Sequence, residues 1–319
     1  MRAAAEIARA LPELSNEFAQ SLDEVGLCQT LQLEAAMHWE HARSAAAEDA
    51  WQRAAQYARR ANDRRQLTDI LGWLASAALW GPTPAAEGIR HCENYLEEIG
   101  NHHRGQAVVL LHMAGLYAMQ DKVEIAHATL NRAKSHLDSL GPTMTAAIIQ
   151  PAAFIAMLAG DPATAEMHLR LEYESLKQMG EKGILATTTA LLAKALVAQG
   201  ESRYDEATQL IAISQEAGAG EDLYAQILCQ GLSARILADR GRHAEALELA
   251  SSAATLAAQT DLLSQHADAL LDLAKVLAAS GRVSEVHAVA VQALDLYQRK
   301  GNLPGTRESL GCLTRYAHI

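Results

Sequence analysis

The chain has 319 residues, half of them hydrophobic but only 4% aromatic, and a formal net charge of -11. This is enough apolar material for a large core, and an alanine-rich, aromatic-poor mix favours closely packed helices over sheets. The negative charge argues against nucleic-acid binding as the main task, because phosphate contacts need clustered Lys and Arg.

Residues 1–26 carry helical patterning broken by Pro12 and lack a clear partner. They predict an incomplete N-terminal repeat or cap. Residues 27–319 read as one array of recurring helix pairs. The first full copy is Leu33–Trp51, and looser copies follow at Leu71–Ile89 and Leu110–Leu130. The one dense basic run, Ala58–Arg65, falls at a helix end, where cations complement the helix dipole. In the copy at Pro151–Leu169, Gly160 stops one helix, Asp161 caps the next and Pro162 sits in its first turn. Further copies lie at Leu191–Leu210 and Leu232–Ala250.

The stretch His266–Asn302 shows the unit best. Leu270, Leu273, Ala274 and Leu277 form the stripe of one helix; Gly281 breaks it; Val286, Val289, Ala290, Ala293 and Tyr297 form the facing stripe of a second. A small residue early in each second helix marks the period, at Ala47, Gly88, Ala126, Ala165, Ala207, Ala246 and Val286. The steps are 41, 38, 39, 42, 39 and 40. Small residues let the two helices approach closely, and stacking of pairs completes a core that no pair can close alone. The expected fold is all-α: an α-solenoid, a right-handed superhelix of about seven antiparallel helix pairs with a period near 40.

The turn Gly241-Arg242-His243-Ala244-Glu245-Ala246 resembles that of tetratricopeptide-type repeats, although the period exceeds their usual 34. The longer pairs look like the superhelical sensor regions of large bacterial ATP-dependent regulators. From about Asp23 onward the chain resembles the C-terminal repeat region of actinobacterial proteins that join a nucleotide-cyclase or signal-transducing ATPase domain to such repeats. Trp80–Pro84 ("WGPTP") and Arg299–Asn302 ("RKGN") are the most specific pieces. The resemblance implies a sensing or interaction role, with catalytic machinery upstream of the repeats.

No phosphate-binding GxxxxGK[ST], dinucleotide GxGxxG, HExxH or GxSxG is present. An enzyme is not expected, and neither is a cofactor. Four cysteines without zinc-ligand spacing fit free thiols in a reducing cytoplasm. The N-terminus lacks a signal peptide's apolar core, and no apolar run reaches a membrane span. Glu34, His38 and His41 share a helix face, a weak metal-site candidate against the plainer reading of a polar helix edge.

All four tryptophans fall in the first two repeats; core packing is the plainer reading, a groove lined by Trp73 and Trp80 the sharper one. His112 and Tyr117 follow in the next repeat. Lys194, Arg235 and Lys275 recur at the same place in three successive first helices. They are either solvated, with Arg235 paired to Asp239 and Lys275 to Asp272, or a cationic ladder along the concave face. These seven residues are the expected ligand-binding set. The expected function is a non-catalytic scaffold or sensor, cytoplasmic, holding a protein or peptide partner with an acidic segment. A stand-alone small-molecule receptor and a homodimer stay open as alternatives. Neither nucleic acid nor membrane is an expected partner.

Overall fold

The computed structural model describes residues 2–140, 146–218 and 222–316. Met1 and residues 317–319, at the outer ends of the two expected segments, lie outside the described residues. Among the described residues there are sixteen α-helices and no strand. α1 (Arg2–Gln20) comes first. Seven antiparallel pairs follow: α2 (Glu24–Glu40) with α3 (Ser44–Arg60), α4 (Arg64–Trp80) with α5 (Ala85–Ile99), α6 (His103–Met119) with α7 (Val123–Asp138), and α8 (Ile149–Leu158) with α9 (Pro162–Met179). The last three are α10 (Gly183–Ala198) with α11 (Tyr204–Gly218), α12 (Leu223–Asp239) with α13 (His243–Ala257), and α14 (Leu263–Ala279) with α15 (Val283–Lys300). α16 (Leu303–Tyr316) closes the series. The fold is a right-handed α-solenoid. No described helix is long and apolar enough to cross a membrane.

Each helix packs on the next in the chain, and first helices also touch one another along α4–α6–α8 and α10–α12–α14. The sequence accounts for this asymmetry. α4 and α6 are apolar and buried on nearly every side, while α3 and α5 bury a narrower stripe and turn a polar face outward. A helix apolar all round belongs inside, an amphipathic one at the surface. The first helices therefore form the inner layer of the superhelix.

The seven period-marking residues are all buried. Ala234, Ala246, Ala274 and Ala293 have no exposed surface at all. Ala246→Leu is expected to overpack α12 against α13 and cost roughly 1–3 kcal/mol, read as a lower urea midpoint. An unchanged midpoint would mean that the repeat register is misassigned.

Gly160 and Gly281 end their helices at φ 77° and 75°, the left-handed conformation that glycine adopts without a Cβ clash. The early repeats make the same stop with Ala42, Asn62 and Asp121, at φ 52°, 53° and 59°. Of the two looser copies, Leu110–Leu130 has Asp121 where the later copies have glycine, and Leu71–Ile89 ends its first helix at Gly81 in an extended conformation, φ -78°, instead of a left-handed one.

The array bends far enough to meet itself. α3 has no side-chain cap of its own. Its first amides are instead capped by Asp261, from the loop before α14: Oδ1 accepts from Ser44 N and Oδ2 from Ala45 N, both at 2.7 Å. The amide of Asp261 donates to the carbonyl of Ala42, holding that left-handed residue in place. At the other end of the next helix, Lys300 Nζ donates to the carbonyls of Ala78, Gly81 and Thr83, each at 2.7 Å. An ammonium group at the C-terminus of α4 meets carbonyls that have no intrahelical donor and the negative end of the helix dipole. Gln120 Nε2 donates to Gly301 O at 2.7 Å, and Arg307 pairs with Asp121 at 2.9 Å. These contacts join residues 181 to 222 apart. At the observed period they make one superhelical turn of roughly four and a half to five and a half pairs.

Lys300 is completely buried. Burial pulls its pKa down to about 7, and Glu48 draws it back up in part. Three carbonyl acceptors match the three hydrogens of the ammonium form and favour it against the pull of burial.

A second polar cluster ties α9 to α11. Glu166 accepts from Arg203 at 2.6 Å, Gln199 at 2.7 Å and Arg170 at 2.6 Å, and both arginines reach Glu206. The Arg203 guanidinium first, with Gln199 and Arg170, holds the Glu166 carboxyl down at about 2, against the opposing pull of burial. A carboxylate with a lowered pKa stabilises the fold fully above its ordinary pKa, and that contribution is lost as pH falls through the lowered value. The Glu166 share, about 1–3 kcal/mol after allowance for the exposed arginines, is thus expected to vanish between about pH 5 and pH 2. Melting curves of wild type and Glu166→Gln should converge over that range; a constant gap would rule the assignment out.

Candidate ligand-binding cavity

Curvature of the inner layer encloses a cavity of about 910 Å³. Every first helix from α4 to α14 contributes to its wall. Leu79, Leu111, Phe154, Met157 and Leu191 supply much of the apolar surface. Trp80 stands edge-on to Phe154, ring centroids 5.2 Å apart, and tilted against Tyr224 at 6.4 Å. The size and the mixture of an apolar wall with a few polar groups are those of a ligand site.

The polar groups come from α6, α8, α9, α10, α14 and α15. Lys194 Nζ donates to Asp268 Oδ2 at 2.6 Å. The Tyr297 hydroxyl donates to Asp268 Oδ1. Burial works to discharge Lys194, but the Asp268 carboxylate overrides it, and the net pKa shift is upward. Burial and then Asp268 push the Tyr297 phenol well above its usual range. The Tyr297 ring lies directly over Gly305, where a Cβ would overlap it; glycine there is a requirement of close approach. Burial lowers His112 to about 4, so its imidazole is neutral at physiological pH rather than poised to titrate. On the α9 side, Thr188 Oγ1 donates to Glu172 Oε2 at 3.1 Å and accepts from Gln150 Nε2 at 3.2 Å. Burial raises the Glu172 pKa while the Gln150 and Thr188 hydrogen bonds oppose the rise. Gln265, 6% exposed, lines the same cavity with its amide oxygen unpaired.

Of the seven residues singled out by sequence, the cavity brings together Trp80, His112 and Lys194. Trp73 lies elsewhere, 47% exposed, stacked on Trp51 at 5.3 Å and edge-on to Trp39 at 6.1 Å. Tyr117 is half-buried beside Lys122, whose ammonium sits 6.0 Å from its ring. Arg235 pairs with Asp272 at 3.5 Å and Lys275 with Glu308 at 2.8 Å, neither lining the cavity. Their same-helix pairings to Asp239 and Asp272 are not the ones formed, because the next first helix presents a nearer carboxylate. All three ladder cations are thus matched by acids of later repeats. Glu34 faces Arg53 at 3.7 Å, His41 Nδ1 contacts Met37 O at 2.8 Å, and His38 is half-buried; among the described residues no three metal-ligating side chains cluster. The four cysteines form no disulfide.

Sequence reading missed Glu172, Asp268, Gln150 and Gln265. For Gln150, Gln265 and Asp268 the available signal was a polar residue interrupting a largely apolar first helix, which inside a solenoid must face either a partner or the central space; Glu172, on the polar α9, carried no such signal.

No family model matches the chain, and neither does any curated protein. Solved structures do. A structure described as Rap protein complexed with competence and sporulation factor matches with a TM-score of 0.57 at 10% identity, over 98% of this chain and 97% of that one. Yeast Tom70 matches with a TM-score of 0.51 at 13% identity, over 99% of this chain and 60% of that one. At such identities the likeness is one of fold, a tetratricopeptide-type helical-repeat solenoid.

Proposed function

We propose that the chain is a non-catalytic helical-repeat module that takes a short peptide into the cavity of its superhelix. The observation that carries this is the cavity itself: about 910 Å³, walled by first helices of six consecutive pairs, apolar with a few hydrogen-bonding groups. Tetratricopeptide-type arrays present their inner helices to partners, and the solved Rap structure of the same fold holds competence and sporulation factor. The resemblance of Trp80–Pro84 and Arg299–Asn302 to actinobacterial regulators supports a sensing role in bacterial signalling or transcription regulation, in the cytoplasm. Residues 1–26 act in this reading as a cap on an array spanning 27–319. A small-molecule effector is the second reading, favoured by the bounded size of the cavity.

Pools of five- to seven-residue peptides passed over immobilised protein test the proposal. Wild type is expected to retain a defined subset, and Trp80→Ala to lose its affinity for that subset by about tenfold or more, since the indole is the largest apolar side chain of the wall. Retention of no peptide, or equal retention by Trp80→Ala, would overturn it.

A further inference from the structure

The charges around the cavity do not balance group by group. Four carboxylates line it: Asp121, Glu172, Asp268 and Glu308. Arg307 matches Asp121, Lys194 matches Asp268, and Lys275 reaches Glu308. Glu172 alone of the four forms no ion pair; its contacts are the neutral side chains of Thr188 and Gln150. Both cations of the lining, Lys194 and Arg307, are already engaged. The neutral imidazole of His112 adds no charge, and the amide oxygen of Gln265 adds a further acceptor without a donor.

We infer that the ligand carries a cationic nitrogen, an ammonium or guanidinium group, that pairs with Glu172 while its apolar part packs against Trp80 and Phe154. The inference rests on the peptide-binding reading above. A carboxylate without an ion-pair partner relies on solvent for the rest of its stabilisation. A ligand that displaces solvent without supplying a cation leaves a carboxylate desolvated beside an apolar wall, at a large cost in affinity. An acidic ligand meets direct repulsion as well. A cation turns the same desolvation into a strong, charge-assisted pair. Glu172 therefore selects among ligands chiefly by penalising the wrong charge. The acidic partner expected from Lys194, Arg235 and Lys275 lacks this basis, because each of those cations already holds a carboxylate.

Two parts of a peptide supply such a cation, its α-amino group or a Lys or Arg side chain. Four pentapeptide pools separate them, each randomised over apolar residues and amidated at the C-terminus. The first has a free N-terminus and no charged side chain. The second is acetylated and carries one Lys. The third is acetylated and uncharged. The fourth is acetylated and carries one Glu in place of Lys. Titration calorimetry against wild type is expected to show the first or second pool binding about tenfold or more tighter than the third and fourth. Which of the two binds identifies the source of the cation. Glu172→Gln, which keeps the shape and the hydrogen bonds to Thr188 and Gln150, should erase most of that preference while its melting curve stays cooperative. Binding of the Glu pool at least as tight as the Lys and free-amine pools, or a preference that survives Glu172→Gln, overturns the inference and leaves the peptide reading standing. Absence of binding by all four pools overturns the peptide reading and the inference with it.

Discussion

Lys300→Met is expected to lower the melting temperature by roughly 5–10 °C and to widen the superhelix. Methionine fills most of the volume of the lysine stem but donates no hydrogen bond. The carbonyls of Ala78, Gly81 and Thr83 are then left without the donor that Lys300 supplies at 2.7 Å to each. An unsatisfied buried polar group costs about 1–3 kcal/mol, and the end of α4 also loses a cation at its negative pole. Partial re-solvation as the seam opens keeps the total nearer about 3 kcal/mol than the simple sum. A larger radius of gyration in X-ray scattering should accompany the loss, because the second and last pairs lose a main point of contact. Unchanged melting and unchanged scattering together would show that the clasp is incidental.

The second large effect is expected at Asp268→Asn. One oxygen of Asp268 accepts from Lys194 at 2.6 Å and the other from the Tyr297 hydroxyl. The amide keeps the shape but removes the charge that holds Lys194 as an ammonium against the pull of burial. Breaking one side of such a pair costs more than deleting both sides, because the remaining charge is left without its partner. Both side chains keep some exposure, 29% for Lys194 and 37% for Asp268, so a loss of about 1–3 kcal/mol is expected for Asp268→Asn. Adding Lys194→Met should restore part of it, giving a coupling energy of about 1 kcal/mol or more in a double-mutant cycle. Additive effects would mean that the two groups do not act as a pair.

The array was legible because its information is local. Each pair declares itself within a single period, through the apolar stripes, the small residues at Ala207 or Ala246, and the stops at Gly160 or Gly281. The seam was not legible as such, since its donors and acceptors lie 181 to 222 residues apart and most of its acceptors are backbone carbonyls. Its trace was visible nonetheless. Trp80–Pro84 and Arg299–Asn302 depart from the alanine–leucine background, and they are the two segments that Lys300 joins. Trp73 and Trp80 show the limit of helical-face reasoning. They lie on one face of α4 but roughly 10 Å apart along its axis. In a curved array that is far enough for Trp73 to stack on Trp51 and Trp80 to reach Phe154. Glu172 was hidden because its significance is a charge left over, and a surplus shows only after every neighbour's partner is known.

The cap that Asp261 places on α3 changes how such a chain folds. In an open solenoid each repeat answers only to its neighbours, so folding starts anywhere, spreads along the line, and the ends fray independently. Here the first pair has no N-terminal cap of its own for α3 and must wait for a residue made about two hundred positions later. The two ends therefore gain or lose order together. A fragment that stops short of Asp261 leaves the amides of Ser44 and Ala45 bare, and hydrogen exchange at the start of α3 should report damage inflicted at the far end of the polypeptide.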